Sequence, residues 1–189
     1  MRALLVLLLF VVSAVSSAAD PDPYILDREN SVVAFRVPAS GTGGINGTMP
    51  IASADMALDF DRPSNSRVQV VLQASGASAS FPFATEAMRG PGILNTAVHP
   101  TISFVSRRFD AEGDSARVTG DVTIRGITRP LVLTAKIFRP VGTEQGQRDR
   151  LQVVMTGGVS RAEFGATGFP DLVGDRVDLE IRARINRAP

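Results

Sequence analysis

Cysteine and tryptophan are absent from the 189-residue chain, and histidine and tyrosine each occur once, as His99 and Tyr24. The absence of cysteine excludes disulfide scaffolds, thiol nucleophiles and cysteine-ligated metal or iron–sulfur sites. Burial of apolar surface and hydrogen bonding must therefore stabilise the fold.

The single histidine limits the catalytic chemistry of the chain. A Ser-His-Asp triad would need His99, which precedes Pro100 at the start of a predicted strand, and no serine stands in a G-x-S-x-G turn. Acidic residues are scattered singly on predicted solvent-facing positions, a pattern that does not indicate a metal site. We predict no catalytic residues, no metal and no cofactor. An enzyme would have only His99, Tyr24 and surface acids to use.

The N-terminus has the three-part pattern of a secretory signal peptide. Arg2 is followed by an apolar run over residues 3–12 and by small residues up to Ala19. The apolar run is shorter than the ~20 residues that a helix needs to cross a bilayer. We therefore predict cleavage near Ala19, export to the periplasm or beyond, and one domain over residues 20–189.

The rest of the chain has no strong charge of either sign. The full sequence contains 20 basic and 19 acidic residues, and one of the basic residues, Arg2, belongs to the signal segment. Arginines and acids are interspersed along the chain. The sequence therefore predicts no basic patch for nucleic acid.

Beyond the signal segment, apolar and polar residues alternate. The clearest example covers residues 176–185, where apolar and charged side chains alternate without a fault. Such alternation predicts a strand with one buried face and one solvent face. Less regular segments of the same kind cover residues 24–27, 31–37, 55–60, 67–74, 101–109, 116–124, 130–138 and 151–160.

The segments between these predicted strands are short and rich in turn-forming residues. Asn46-Gly47, in a glycine-rich stretch, is interpreted as a hairpin turn. A short helical segment is predicted only near residues 84–90, before the helix-ending sequence Gly-Pro-Gly at 90–92. Because helical crossovers are lacking elsewhere, the pattern favours antiparallel strands. We predict an all-β fold of eight or nine antiparallel strands, which must either close into a barrel or pack as two sheets. The pattern does not decide between the two, although strands of eight to ten residues favour a tilted barrel.

The side chains at the inward-facing positions of the predicted strands are almost all apolar. Small residues at Gly120, Ala135, Gly157 and Ala183 share this phase and are expected to leave space. The pattern leaves a filled and a hollow barrel equally open. If the barrel is hollow, its interior suits hydrocarbon. The candidate ligand contacts are Phe35, Val37, Met56, Phe60, Val70, Leu72, Phe104 and Met155, with Phe81, Phe83 and Met88 at the mouth.

Several motifs carry a resemblance to a known family. The stretch P-T-I-S-F-V-S at residues 100–106 precedes T-G-D-V-T-I-R-G-I-T-R-P at 119–130, and S-R-A-E-F-G follows at 160–165. In order and spacing the chain resembles the YceI-like family of exported lipid-binding proteins. The resemblance implies an all-β fold, an extended eight-stranded antiparallel lipocalin-like β-barrel, that holds a polyisoprenoid or an isoprenoid quinone. It also implies a periplasmic, non-enzymatic role in transport, storage or sequestration.

The resemblance suggests a second hypothesis, and the chain departs from the family pattern at two positions. Some relatives are encoded beside, or fused to, a membrane cytochrome of the b561 type, which implies an accessory subunit that docks on that partner. Asn30 and Pro38 stand where the family often has histidine. Because neither residue carries an imidazole, this chain lacks the head-group or metal contacts that histidines at these positions could make. The sequence leaves open whether the protein forms a homodimer.

Overall fold

The computed structural model describes residues 20–41, 43–144 and 146–189, and the predicted signal segment, residues 1–19, lies outside the described residues. Within these ranges the chain is built mainly from strands. The strands are β1 (Asp22–Val37), β2 (Ile45–Met49), β3 (Ile51–Leu58), β4 (Arg67–Gln73), β5 (Ser78–Ala79), β6 (Thr101–Glu112), β7 (Ser115–Ile124), β8 (Ile127–Phe138), β9 (Arg150–Ser160) and β10 (Arg176–Arg187). The helix α1 covers Pro82–Arg89, and short 3-10 helices cover Pro63–Asn65, Ala74–Gly76 and Ala162–Phe164.

The strands close into an antiparallel barrel. β1 pairs with β10 from Tyr24 opposite Arg187 onwards, and its first residues also pair with β3, where Tyr24 lies opposite Met56. The ring runs β1-β10-β9-β8-β7-β6-β4-β3 and returns to β1. The predicted eight-stranded antiparallel barrel is confirmed.

Two predicted strands are one continuous strand in the structure. The segments at 24–27 and 31–37 both belong to β1, whose register against β10 shifts between Asp27 and Val32. β1 ends at Val37, next to Pro38, whose ring removes a backbone donor. The predicted helical segment is present as α1, which begins at Pro82 because proline suits the first turn of a helix.

β2 corrects one sequence interpretation. Asn46 and Gly47 lie inside this strand, opposite Arg36 and Phe35 of β1, so the predicted hairpin turn at Asn46-Gly47 is wrong. Glycine is present there because of packing, since a Cβ on Gly47 would overlap the ring of Phe35. β2 and the two-residue β5 extend the wall beyond the closed ring, and Pro50 separates β2 from β3.

Gly120 on β7 makes similar room for an aromatic ring on the neighbouring strand. A Cβ on Gly120 would lie 2.5 Å from Cζ of Phe104 and would overlap the carbonyl oxygen of Val105. The Gly120→Ala substitution should therefore destabilise the protein by roughly 1–3 kcal/mol, the usual cost of overpacking. Urea unfolding measures this change.

Gly92→Ala is the matched control for this substitution. A Cβ on Gly92 would meet only backbone of Gly168, at an ordinary 3.4 Å. We expect a smaller loss of stability from this control than from Gly120→Ala. Equal unfolding free energies for Gly120→Ala and the wild-type protein would show that the barrel wall accommodates the added methyl group without loss of stability.

Candidate ligand-binding cavity

A cavity of about 900 Å³ lies inside the barrel. Ligand pockets in proteins usually measure roughly 300–1,000 Å³, so this cavity is at the large end of the range. The sequence pattern left open whether the barrel is filled or hollow, and in the structure it is hollow.

Apolar side chains from every strand of the ring form the wall. On β1, for example, Val33, Phe35 and Val37 are buried and line the cavity, while Arg36 between them is exposed on the outside. The alternating pattern therefore identifies the interior face. All predicted contact residues line the cavity: Phe35, Val37, Met56, Phe60, Val70, Leu72, Phe81, Phe83, Met88, Phe104 and Met155. Their contact with a bound molecule stays a prediction.

The small inward residues act in two different ways. Ala135 and Ala183 line the cavity and leave space in it. Gly157 does not, because the position that a Cβ would occupy is only 2.6 Å from Cδ2 of Leu133. The ring of Phe104 fills the corresponding space beside Gly120. The expectation of free space is therefore wrong for the two glycines.

Most polar groups of the cavity wall belong to one end of the barrel, where β1 starts and β10 ends. We call this the charged end and define it by the lining residues Asp59, Ser66, Asp114, Ser115, Arg139 and Arg148. Arg148 lies over the ring of Phe60, 5.3 Å from its centroid, and its Nη2 donates a 2.8 Å hydrogen bond to Asp61. The hydroxyl of Tyr24 donates to the backbone oxygen of Arg148 at 2.8 Å. The rings of Tyr24 and Phe60 also contact each other edge to face, with centroids 5.8 Å apart, so an aromatic pair and a cation pack at this end.

The ionisable groups at the charged end have structural partners. The Arg148 hydrogen bond lowers the pKa of Asp61, and the backbone N–H of Arg62 lowers the pKa of Asp59. Burial raises the pKa of Tyr24. Each shift is explained by a local contact or by burial.

The opposite end of the barrel presents apolar side chains to solvent. We call it the aromatic end and define it by Phe81, Phe83, Phe169 and Leu172, which line the cavity and are exposed. Phe83 is the most exposed of the four, at 73%. The backbone of Phe169 has a φ of 56°, a conformation that is unfavourable for a bulky residue. The chain thus keeps an aromatic side chain at the mouth in spite of local strain.

One buried cation, Arg161, lies on the cavity wall near the aromatic end, with only 9% of its surface exposed. Its Nε donates to the carbonyl oxygen of Gly174 at 2.9 Å, and its Nη2 donates to that of Val173 at 2.7 Å. Nη1 donates to the carbonyl oxygens of Ala166 and Gly168 at 2.6 and 2.7 Å. The sequence analysis included this residue in the S-R-A-E-F-G motif but assigned it no role, since it lies just after β9 and outside the alternating pattern.

The remaining candidates for chemistry lie elsewhere. His99 precedes β6, near Gly126, and does not line the cavity. In the part of the chain that the structure describes, no three His, Asp or Glu side chains group together in a way that could hold a metal ion. Over the same residues, no helix has the length and hydrophobicity needed to span a membrane.

Known proteins share this fold. The crystal structure of BcnA from Burkholderia cenocepacia superposes with a TM-score of 0.75 at 15% identity, over 85% of this chain and 99% of that one. A polyisoprenoid binding domain from Saccharophagus degradans, implicated in plant cell wall breakdown, gives a TM-score of 0.64 at 12% identity, over 88% and 99% of the two chains. At these identities the similarity shows the fold alone.

Sequence comparison is more specific. Protein YceI of Escherichia coli O157:H7 is 28% identical over 117 residues, and so is a UPF0312 protein of Pseudomonas aeruginosa. These alignments span 61% of this chain and 61% of each relative. The model of the YceI-like domain matches residues 24–185, from near the start of β1 to a residue within the last strand, β10. The chain therefore belongs to the family of proteins with a YceI-like domain.

Proposed function

We propose that this protein is an exported, non-enzymatic lipid carrier, which holds a polyisoprenoid or an isoprenoid quinone inside its barrel for transport, storage or sequestration. The observation that carries the proposal is the cavity of about 900 Å³ with its apolar wall. The relative from Saccharophagus degradans, described as a polyisoprenoid binding domain, supports the choice of ligand.

The energetics favour a hydrocarbon ligand without specific polar contacts. Each buried CH₂ group contributes about 0.8 kcal/mol, so each five-carbon unit that enters the cavity contributes about 4 kcal/mol. Losses of translational and conformational freedom offset part of this gain. A chain of several such units would still bind strongly in an aqueous compartment.

Solvent extraction tests the proposal directly. The full chain is expressed in a bacterium, purified from the periplasmic fraction without detergent and extracted with organic solvent for mass spectrometry. We expect an isoprenoid lipid in an amount close to one per protein, and a mature N-terminus at Asp20. Repeated extraction of no lipid, together with failure of the purified protein to bind added isoprenoids, would contradict the proposal.

The accessory-subunit hypothesis gains support from the exposed side chains of the aromatic end, because an apolar patch of this kind suits a membrane or a membrane protein. A tagged protein incubated with solubilised membranes of its host would retain a b561-type cytochrome if this hypothesis is correct. Retention that persists after Phe83→Ser, a substitution in the exposed patch, would place the contact elsewhere on the barrel.

A further inference from the structure

The connection between β9 and β10 contains a segment at the aromatic end, residues 166–174, which we call the mouth segment. Its side chains Phe169 and Leu172 line the cavity and are exposed, at 42% and 58%. The φ of Phe169, 56°, is a conformation that a bulky residue keeps only where its surroundings hold it in place. The backbone of the mouth segment must therefore be fixed by contacts with other residues.

Arg161 makes these contacts from inside the segment. Its buried guanidinium donates four hydrogen bonds of 2.6–2.9 Å, all to backbone carbonyl oxygens of the mouth segment. Two acceptors, Ala166 and Gly168, lie in its first half, and the other two, Val173 and Gly174, lie in its second half. Hydrogen bonds from a charged donor are stronger than those between neutral groups. Arg161 therefore holds the two halves of the segment together.

The mouth segment contacts two neighbouring connections through backbone groups. The N–H of Gly168 donates to the carbonyl oxygen of Gly92, between α1 and β6, at 2.8 Å. Val173 forms an isolated β-bridge with Ala39, just after β1, and backbone hydrogen bonds of 2.8 and 2.9 Å flank this bridge. Because these bonds are neutral and belong to no strand of the ring, they can break while the ring stays closed.

The two ends of the barrel differ in how they limit access to the interior. A second buried cluster, which includes Tyr24, Leu151 and Ile185, packs at the charged end. At the aromatic end, by contrast, Phe169 and Leu172 of the mouth segment are exposed while they line the cavity. A molecule that exchanges with the interior therefore meets less packed structure at the aromatic end.

We propose that Arg161 is a positioning residue for ligand exchange. It holds the mouth segment closed, and cargo enters and leaves when this segment moves away from Gly92 and Ala39. This inference rests on the proposed function and concerns the rate of exchange, not the identity of the cargo. Opening of such a segment commonly limits the rate at which a bound molecule is released. The bonds of Arg161 then determine how long the cargo is retained.

A cross-link tests the opening without any change at Arg161. Because the chain has no cysteine, Ala39→Cys with Val173→Cys introduces the only two thiols of the protein. Their flanking hydrogen bonds make these residues a non-hydrogen-bonded antiparallel pair, whose Cα atoms are about 4.5 Å apart, a separation that a disulfide can span. Uptake and release of the neutral fluorescent probe N-phenyl-1-naphthylamine are followed by stopped flow. We expect both rate constants to be about tenfold lower in the oxidised form than in the reduced form, because the closed segment blocks exchange.

Thr123→Cys with Thr128→Cys is the matched control for this cross-link. The hydroxyl oxygens of the two residues are 2.8 Å apart on the paired strands β7 and β8, and neither residue lines the cavity. Reduction of the control cross-link should change neither rate constant. Equal rate constants in the oxidised and reduced forms of the Ala39–Val173 pair would overturn the inference and leave the lipid carrier standing.

Arg161→Gln tests the positioning residue itself. Loss of the charged donor should raise the rate constants of uptake and release together, by about tenfold, and leave the dissociation constant of the probe within about twofold. A role in the stability of the wall alone would change the dissociation constant instead. Arg89→Gln is the matched control, since Nε of Arg89 also donates to a backbone carbonyl oxygen, that of Ala77 at 3.0 Å, but Arg89 does not line the cavity. This control should keep the wild-type rate constants.

The combination of the two changes separates an action through the segment from a direct contact with the cargo. In Arg161→Gln, the oxidised Ala39–Val173 cross-link should restore slow exchange, because it replaces the lost hydrogen bonds. Fast exchange in spite of the cross-link would overturn the inference. Arg161→Lys, which keeps the charge but has fewer donors, should show a smaller increase, and it serves in place of a glutamine variant that does not fold. Failure of the wild-type protein to bind either the probe or isoprenoids would contradict the proposed function, and the inference with it.

Discussion

The double substitution Ala135→Phe and Ala183→Phe should strongly reduce lipid retention while the barrel stays folded. Both alanines are buried and line the cavity, one on β8 and one on β10. They are separated by β9, where Met155 lies opposite Ala135 and Val153 lies opposite Ala183. Two phenyl rings would therefore project into the same part of the interior and occupy the space that the tail needs.

The expected size of the effect follows from the apolar nature of the change. New rings enter an existing space, so the destabilisation should stay at or below the roughly 1–3 kcal/mol of ordinary overpacking. The lipid loses several CH₂ contacts, each of about 0.8 kcal/mol, which corresponds to a drop of tenfold or more in affinity. Extraction and mass spectrometry measure the lipid per protein, and circular dichroism measures the fold.

Thr134→Phe is the matched control for the double variant. Thr134 neighbours Ala135 on the same strand, but its side chain is exposed on the outside of the barrel. The same aromatic group at this position should leave lipid retention unchanged. A folded double variant that retains a full complement of lipid would show that the cargo does not occupy this part of the cavity.

Phe164→Ala should cost the protein about 3–5 kcal/mol of unfolding free energy. Phe164 is 1% exposed and ends the short 3-10 helix Ala162–Phe164 beside the aromatic end. Its truncation removes the apolar contacts that Phe164 makes in the core cluster and enlarges the cavity that it lines. Chemical denaturation of the delipidated protein measures the loss.

Phe83→Ala makes the same chemical change in an exposed position. Because Phe83 is largely solvated, its truncation should change stability by less than about 0.5 kcal/mol. The comparison separates the contribution of a buried aromatic side chain to stability from that of an exposed one at the mouth. Equal unfolding free energies for Phe164→Ala and Phe83→Ala would show that Phe164 contributes no more packing than a surface residue.

The strand pattern predicted the strands and their inner face, for a physical reason. In β10 the alternate residues Val177, Leu179 and Ile181 line the cavity, and the charged residues between them are exposed. A period of two has only two phases, so one buried face determines the direction of every side chain in a strand. The alternation was therefore sufficient for the strands and for the apolar character of their inner face, whereas closure into a barrel was only favoured by strand length and was implied by the resemblance to the family.

The features that the pattern did not reveal depend on contacts between distant residues. The role of Gly47 depends on the ring of Phe35, and Arg161 is bound by carbonyls of a connecting segment, which have no sequence signature. The volume of the cavity depends on where each ring lies, as Phe104 against Gly120 illustrates. Alternation specifies which side chains face inward, but it does not specify which of them contact each other.

The pairing of the first strand with the last also constrains how the protein folds. Asp22 and Arg187 are 165 positions apart and form an ion pair beside the seam between β1 and β10. Such contacts between distant residues raise the entropic cost of closure and slow folding. Until β10 is in place, β1 and β9 present open edges next to an exposed apolar interior, which favours aggregation. The interior can therefore enclose a lipid only after β10, the last strand, has paired with β1.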